Sequence, residues 1–208
     1  MKNTLYILVL FTFFQCSTKK NLDSNYNAEI DQHRVEYKAA FVNEDHSPLE
    51  KEDLKHLDFY EADESYMCNC KVSLTPEEKP FEVDTYSGMK KDYIKYANAV
   101  CSINGKEVKL ALYKILRLQA MPGYKDLLFL PFMDYTNGET TYGGGRYIDL
   151  SQKDIADGRL IIDFNKCYNP YCAFSDGYNC PIPPLENHLE LAVEAGEKMY
   201  KGAKKHRK

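Results

Sequence analysis

The sequence predicts a mainly β domain of α+β type, an antiparallel barrel or sandwich preceded by two N-terminal helices. Two observations carry this. From Tyr66 onward apolar and polar residues alternate with period two in short runs, and Gly, Pro and Asn clusters separate those runs. Before Tyr66 the apolar spacing is helical instead.

In chain order, Ile30, Tyr37, Ala40 and Phe41 fall on one stripe of a helix spanning about 28–41. A second, short helix is expected to start at His46-Ser47-Pro48-Leu49-Glu50 and end near His56. Ser47 can cap it, Pro48 suits a first turn, and Glu50 stands at the capping-box position. Tyr66, Cys68, Cys70, Val72 and Leu74 then alternate with polar residues, which reads as a strand with one buried face. Cys68 and Cys70 point the same way on it and read as small fillers rather than a bonded pair. Further strands are expected at 81–87, 93–103, 107–116, 127–132, 146–150 and 159–164. Asn104-Gly105 is a hairpin signal between two of them. The alternation of Leu189, Leu191 and Val193 with Glu190, Ala192 and Glu194 predicts a last strand.

The N-terminus carries a different signal. Lys2 precedes the apolar run Leu5 to Phe14, which is too short to span a bilayer but has the layout of a secretory signal peptide over 1–15. The run ends at Gln15-Cys16-Ser17, which resembles a lipobox, the site where a cysteine is lipidated and becomes the new N-terminus. A strict lipobox has Leu where Phe13 stands and Gly or Ala where Gln15 stands. The looser form is usual in the Bacteroidota, whose low-Trp, Lys- and Asn-rich style this sequence shares. The expectation is a Bacteroidota-type lipoprotein: anchor and polar spacer at 16–27, one domain at 28–200, and a basic tail at 201–208. It is placed in the cell envelope, facing the periplasm, with the membrane as partner through its lipid.

The chain has 31 acidic and 27 basic residues and a net charge of −4, one unit more negative once Lys2 leaves with the leader. That balance speaks against a nucleic-acid partner. Removing Cys16 from seven cysteines leaves six, an even number in an oxidising compartment, with 15 possible connectivities. Cys172 and Cys180, eight residues apart among prolines, are the favoured disulfide. No zinc spacing, Walker loop, dinucleotide fingerprint, G-x-S-x-G elbow or H-E-x-x-H pair occurs, so no metal or cofactor is expected.

The unusual chemistry lies between Phe129 and Glu197. Gly143-Gly144-Gly145 can bring backbone N–H groups close to an anion, and Arg146 follows with a planar donor fork. The same residues also fit a hairpin turn beside a salt-bridged arginine. Asp134 can pair with Arg146, either structurally or as half of a ligand clamp. Asp163 and Asn165 share one side of their strand, facing either a cavity or water. Tyr147 and Tyr168 complete the candidate ligand set. Asp134, Asp163, Glu186 and Glu197 are the carboxylates available for acid–base work.

Five segments in this region carry a resemblance. Phe129-Leu130-Pro131-Phe132-Met133-Asp134-Tyr135-Thr136-Asn137-Gly138, Thr141-Tyr142-Gly143-Gly144-Gly145-Arg146-Tyr147, Asp163-Phe164-Asn165 through Cys172, Cys180 through Asn187, and Ala195-Gly196-Glu197 resemble the bacterial domain-of-unknown-function family numbered 1684. The resemblance implies a shared fold but no activity. Cys167 stands where the family has a small residue.

The leading expectation is therefore an envelope lipoprotein that binds a small polar or anionic ligand. An envelope hydrolase using carboxylates or a cysteine is the alternative, and a structural partner of another envelope protein is the third reading.

Overall fold

The computed structural model describes the backbone of residues 18–206 and side chains from Asn25 onward. The signal peptide and Cys16 lie outside the described residues. Helix α1 spans Thr18–Asn43 and buries Tyr26, Ile30 and Phe41 along one stripe. It begins at Thr18, so most of the stretch expected as spacer belongs to the helix. The second expected helix is a six-residue 3-10 segment, Lys51–His56. Its start is displaced to Glu50, whose backbone N–H donates to Asp53 Oδ2 at 2.8 Å. Ser47 instead closes a local turn, accepting from the Leu49 N–H at 3.2 Å. Among the described residues no helix is long and apolar enough to cross a membrane.

Seven strands follow: β1 Met67–Leu74, β2 Phe81–Asp84, β3 Lys90–Ile103, β4 Lys106–Ile115, β5 Leu127–Phe132, β6 Arg146–Ser151 and β7 Arg159–Asp163. They form one antiparallel sheet in the order β6-β5-β4-β3-β1-β7, with β2 added on β3, curled into a half-barrel. This open sheet replaces both the closed barrel and the two-sheet sandwich as the form of the mainly β fold. The Asn104-Gly105 hairpin joins β3 to β4 with Ile103 opposite Lys106.

Alternation gives the sheet two apolar faces. The larger core holds Cys68, Cys70, Val72, Leu110, Leu112, Leu128, Leu130, Ile148, Leu160 and Ile162. Each fully buried Leu or Ile there contributes about 1.5–3 kcal/mol relative to exposure. The opposite face carries an aromatic cluster of Tyr93, Tyr113, Phe129 and Tyr147, with Tyr168 packed against it. A third cluster, Phe41, Leu49, Leu57 and Phe174, fixes the end of α1.

Residues 188–200 form no strand, contrary to the period-two expectation. The segment is extended and its alternation is real, with Leu189, Val193 and Ala195 buried. Its backbone makes isolated main-chain bonds with Met133, Tyr135, Cys167, Asp58 and Thr140 rather than a ladder with one strand, and side chains satisfy it between them. Arg146 donates to the carbonyls of Val193 (2.8 Å) and Ala195 (2.5 Å), and Asp134 Oδ1 accepts the Val193 N–H (3.1 Å). Asn187 does the same where β4 and β5 diverge. Its side chain accepts from Ala111 N–H (2.7 Å) and donates to the Ala111 and Pro131 carbonyls (2.9 and 2.8 Å).

The basic tail is docked as far as Lys205, which exchanges backbone hydrogen bonds with Phe174 and Asp176 and pairs with Asp53. Cys70 is bonded to Cys101, because the β1–β3 register sets these positions opposite each other. Cys70 is thus more than the filler its strand position suggested. Cys172 is bonded to Cys180, and Cys68 and Cys167 are buried free thiols.

Candidate functional site

Strand parity separates the sequence-derived site residues. Arg146 opens β6 on the core face, whereas Tyr147 and Asp149 lie on the aromatic face. The Arg146 guanidinium is wholly buried. Beyond the two carbonyls above, Nη2 donates to Asp134 Oδ2 at 2.9 Å and faces Thr136 Oγ1 at 3.4 Å. Asp134 in turn accepts from the Thr136 N–H and hydroxyl at 2.9 and 2.6 Å. Both terminal nitrogens of Arg146 are taken by protein groups, and Nε is buried without a hydrogen-bond partner. This geometry realises the structural side of the Asp134–Arg146 alternative and leaves no donor fork for an outside anion.

Gly144 and Gly145 are buried against side chains. The Gly144 carbonyl accepts from the Tyr86 hydroxyl at 3.1 Å. Gly145 has φ +84°, and a Cβ there would sit 2.6 Å from the Phe132 carbonyl oxygen and 2.7 Å from Pro183. Close packing thus explains the glycine run at these two positions, and none of the three glycines lines the cleft described below.

Asp163 and Asn165 latch α1 to the end of β7. Asp163 Oδ1 accepts from the Tyr26 hydroxyl at 2.9 Å and the Asn165 N–H at 3.0 Å. The Asn165 amide donates to Tyr26 Oη (2.7 Å) and the Asp63 carbonyl (2.8 Å). Glu197 is also fully buried. Its Oε2 accepts from the Asn169 N–H (2.7 Å) and the Tyr37 hydroxyl (2.9 Å), and burial pushes its pKa up to about 8. Glu186 is held by Lys95 (2.5 Å) and the Tyr113 hydroxyl (2.6 Å). Burial pushes the Cys167 thiol up to about 11, which leaves it protonated and unsuited to attack. With Cys172 and Cys180 bonded, neither supplies a free thiol.

Among the described residues, a more polar cleft of about 1000 Å³ lies between Tyr26 and the 59–66 segment, and a larger one, lined by the aromatic face, has a volume of about 1160 Å³. Its walls come from α1 (Glu29, His33, Glu36, Tyr37, Ala40 and Phe41 among them), from both edge strands β6 and β7, and from Tyr93, Phe129, Tyr147 and Tyr168 of the aromatic face. The rings meet nearly edge to face. Tyr93 and Phe129 stand at 85° with centroids 6.0 Å apart, and Tyr147 and Tyr168 at 90° and 5.9 Å. Of the sequence-derived ligand residues only Tyr147, Asp163 and Tyr168 line this space.

Asp149 is the residue that sequence reasoning missed. It opens onto the cleft directly opposite Phe129 in the β5–β6 register. Asp149 is itself exposed to solvent, and the Tyr168 hydroxyl donates to its carboxylate. The Tyr93 hydroxyl, in a fully buried residue that lines the same cleft, has no hydrogen-bond partner. The usable signal was the Arg146-Tyr147-Ile148-Asp149-Leu150 alternation, which places Tyr147 and Asp149 together and Arg146 apart.

Fold and site define a β half-barrel domain with a long helix walling an aromatic cleft. The chain belongs to the family described as "Protein of unknown function (DUF1684)", whose profile matches residues 52–198. Among solved structures it is similar to an uncharacterized protein of Haloarcula marismortui determined by solution NMR. The two are 28% identical with a TM-score of 0.66, over 86% of this chain and 97% of that one. No curated protein matches. The family match begins after α1, whereas the cleft uses α1 as a wall.

Proposed function

We propose that this chain is an envelope lipoprotein of the Bacteroidota type, tethered through Cys16 and facing the periplasm, whose domain binds a small polar ligand with an apolar body. The observation that carries the binding reading is the cleft itself. It has roughly the volume of a small-molecule site, and its aromatic walls are joined by charged groups such as Glu36, Lys91, Asp149 and Lys166. The unpartnered Tyr93 hydroxyl supports it, since a buried hydroxyl without a partner is costly unless a ligand or water supplies one. The charged start, short apolar run and Cys16 support the tether.

Binding is preferred over the hydrolase reading because Asp134, Glu186 and Glu197 are each committed to protein partners away from the cleft. The anionic half of the ligand expectation also loses its warrant, because Arg146 is closed on Asp134 and the main chain.

The binding test is an NMR titration of the isotope-labelled domain with a library of small aromatic and alicyclic fragments. Shifts should cluster at Tyr93, Phe129, Tyr147 and Tyr168. Shifts scattered over the surface would remove the cleft as the site. For the tether, mass spectrometry should find acyl chains on Cys16, and Cys16→Ala should move the protein from the membrane to the soluble fraction.

A further inference from the structure

We infer that the ligand of this cleft is an organic acid whose carboxylate is held by Lys91 and Arg117, a deepening that rests on the binding reading above. The sheet register places both residues. Lys91 stands opposite Val83; two positions on, Tyr93 stands opposite Phe81 on one side and Ile115 on the other. Val83 and Tyr93 both belong to the aromatic cluster, so alternation puts the Lys91 stem on that face, where it lines the cleft. A short helical turn, Leu116–Gln119, begins directly after Ile115. It carries Arg117, exposed, between Ile115 and Leu118, which also line the cleft.

Among the described residues neither Lys91 nor Arg117 forms an ion pair or a side-chain hydrogen bond. Lys91 is partly buried, and the charge acting on it is the like charge of Arg117, which with burial holds its pKa below the ordinary lysine value. A carboxylate arriving between the two cations relieves both effects. Lys91 Nζ is open to solvent, unlike Tyr93 Oη, so a head group can reach it. Lys166, the other lysine of the cleft, is already held 2.7 Å from Glu29 and 3.9 Å from Asp163. The carboxyls of the cleft come from α1, β6, β7 and the turn after β6, not from β3 or β4. Glu36 accepts from Gln32 at 2.8 Å, Asp163 from Tyr26 at 2.9 Å, and Asp149 from Tyr168. Strand β6, which carries Asp149, lies three strands from β3, about 14 Å along the sheet. Tyr93, Phe129 and Tyr147, in successive ring contact at 6.0 and 4.8 Å, pave the floor between them. An anionic head group thus returns to the ligand without Arg146, through an arginine whose donor fork is free.

The class defined is a carboxylate on an aryl or alkyl body, and three matched probes separate its head group from its body. Calorimetry at pH 7.5 would compare 4-phenylbutyrate, 4-phenylbutan-1-ol and 4-phenylbutylamine on the intact domain. The acid should bind at least tenfold more tightly than the alcohol, and the amine more weakly than the acid. Lys91→Met, which keeps an unbranched apolar stem, should bring the acid down to the level of the alcohol and leave the alcohol unchanged. Lys91→Arg should preserve the preference for the acid. Arg117→Gln, at an exposed position, should weaken the acid at least threefold without affecting the alcohol. Equal binding of acid and alcohol to the parent protein would overturn the inference while leaving the cleft as a ligand site. So would a Lys91→Met variant that retains the acid preference with a native circular dichroism spectrum. Failure of all three probes at millimolar concentration, by calorimetry and by NMR, would overturn both readings.

Discussion

Arg146 and Asp134 form an ion pair of 2.9 Å with both side chains fully excluded from solvent. The pair does more than neutralise charge. Through Arg146 it anchors the carbonyls of Val193 and Ala195, and through Asp134 the Val193 N–H, so it binds the C-terminal extended segment to the sheet. Removing the cation would leave Asp134 buried without an opposite charge, the Val193 carbonyl without its donor, and the Ala195 carbonyl with only the Cys167 thiol. Arg146→Met should therefore cost about 3–5 kcal/mol of stability in urea unfolding. The double variant Asp134→Leu/Arg146→Met should recover part of that loss. Recovery stays incomplete because the Val193 carbonyl and N–H and the Ala195 carbonyl still lack their charged partners. A loss below 1 kcal/mol in the single variant would contradict this anchoring role.

The same pair shows what could be read in the sequence. Most strand positions were legible because one face of each strand is buried, which imposes period two; β5 falls on its expected residues, 127–132. The Asp134–Arg146 contact was legible as a pairing, but not its direction. Motif density drew Arg146 and Tyr147 into one site, although adjacent strand residues face opposite ways. The last segment misled for a related reason. Alternation reports which side chains are buried and says nothing of what satisfies the backbone, which here is scattered main-chain contacts together with Arg146 and Asp134. The cleft was illegible because it depends on α1 lying against β6 and β7, a long-range placement with no local signal. The Cys70–Cys101 bond likewise depends on β1–β3 register, which spacing alone does not disclose.

Gly196 tests the close approach at the turn before Glu197. It has φ +72°, and a Cβ would lie 2.7 Å from the carbonyl oxygens of both Cys167 and Phe164. Backbone oxygens cannot rotate away as a flexible side chain can. Gly196→Ala should cost more than the roughly 1 kcal/mol of an unfavourable φ alone, on the order of 2–4 kcal/mol. Gly88→Ala is the comparison, with φ +80° but no atom within 4 Å of its Cβ. Equal losses in the two variants would mean that the clash is relieved cheaply.

The two disulfides close loops of different length, with separations of 31 residues for Cys70–Cys101 and 8 for Cys172–Cys180. Chain-entropy arguments assign about 3.5 kcal/mol to the longer loop and about 2.5 kcal/mol to the shorter. Cys101→Ala should accordingly lower the urea midpoint more than Cys180→Ala. Alkylation of the unreduced, denatured domain from residue 18 onward should modify Cys68 and Cys167 and spare the other four. Labelling of Cys172 or Cys180 without reductant would exclude that bond.

Glu197 gives the protein a pH dependence whose sign is fixed by its burial. Its pKa is about 8 in the folded chain, against an ordinary value of 4.5. The fold therefore favours the protonated acid. Below about pH 4.5 both folded and unfolded chains carry the proton, and the full stability is present. Between pH 4.5 and 8 the unfolded chain loses its proton first, so this contribution declines as pH rises, and above pH 8 the loss is complete. Glu197→Gln keeps an oxygen to accept from the Asn169 N–H and the Tyr37 hydroxyl but cannot ionise. Relative to the parent, the variant should gain stability progressively from pH 5 to pH 8, by on the order of 1–3 kcal/mol. Urea unfolding of both proteins at pH 5, 6.5 and 8 measures that difference, in which the other carboxyls cancel. A difference that stays constant across the range would mean that Glu197 is ionised in the folded protein at all three values, stabilised there by Arg146.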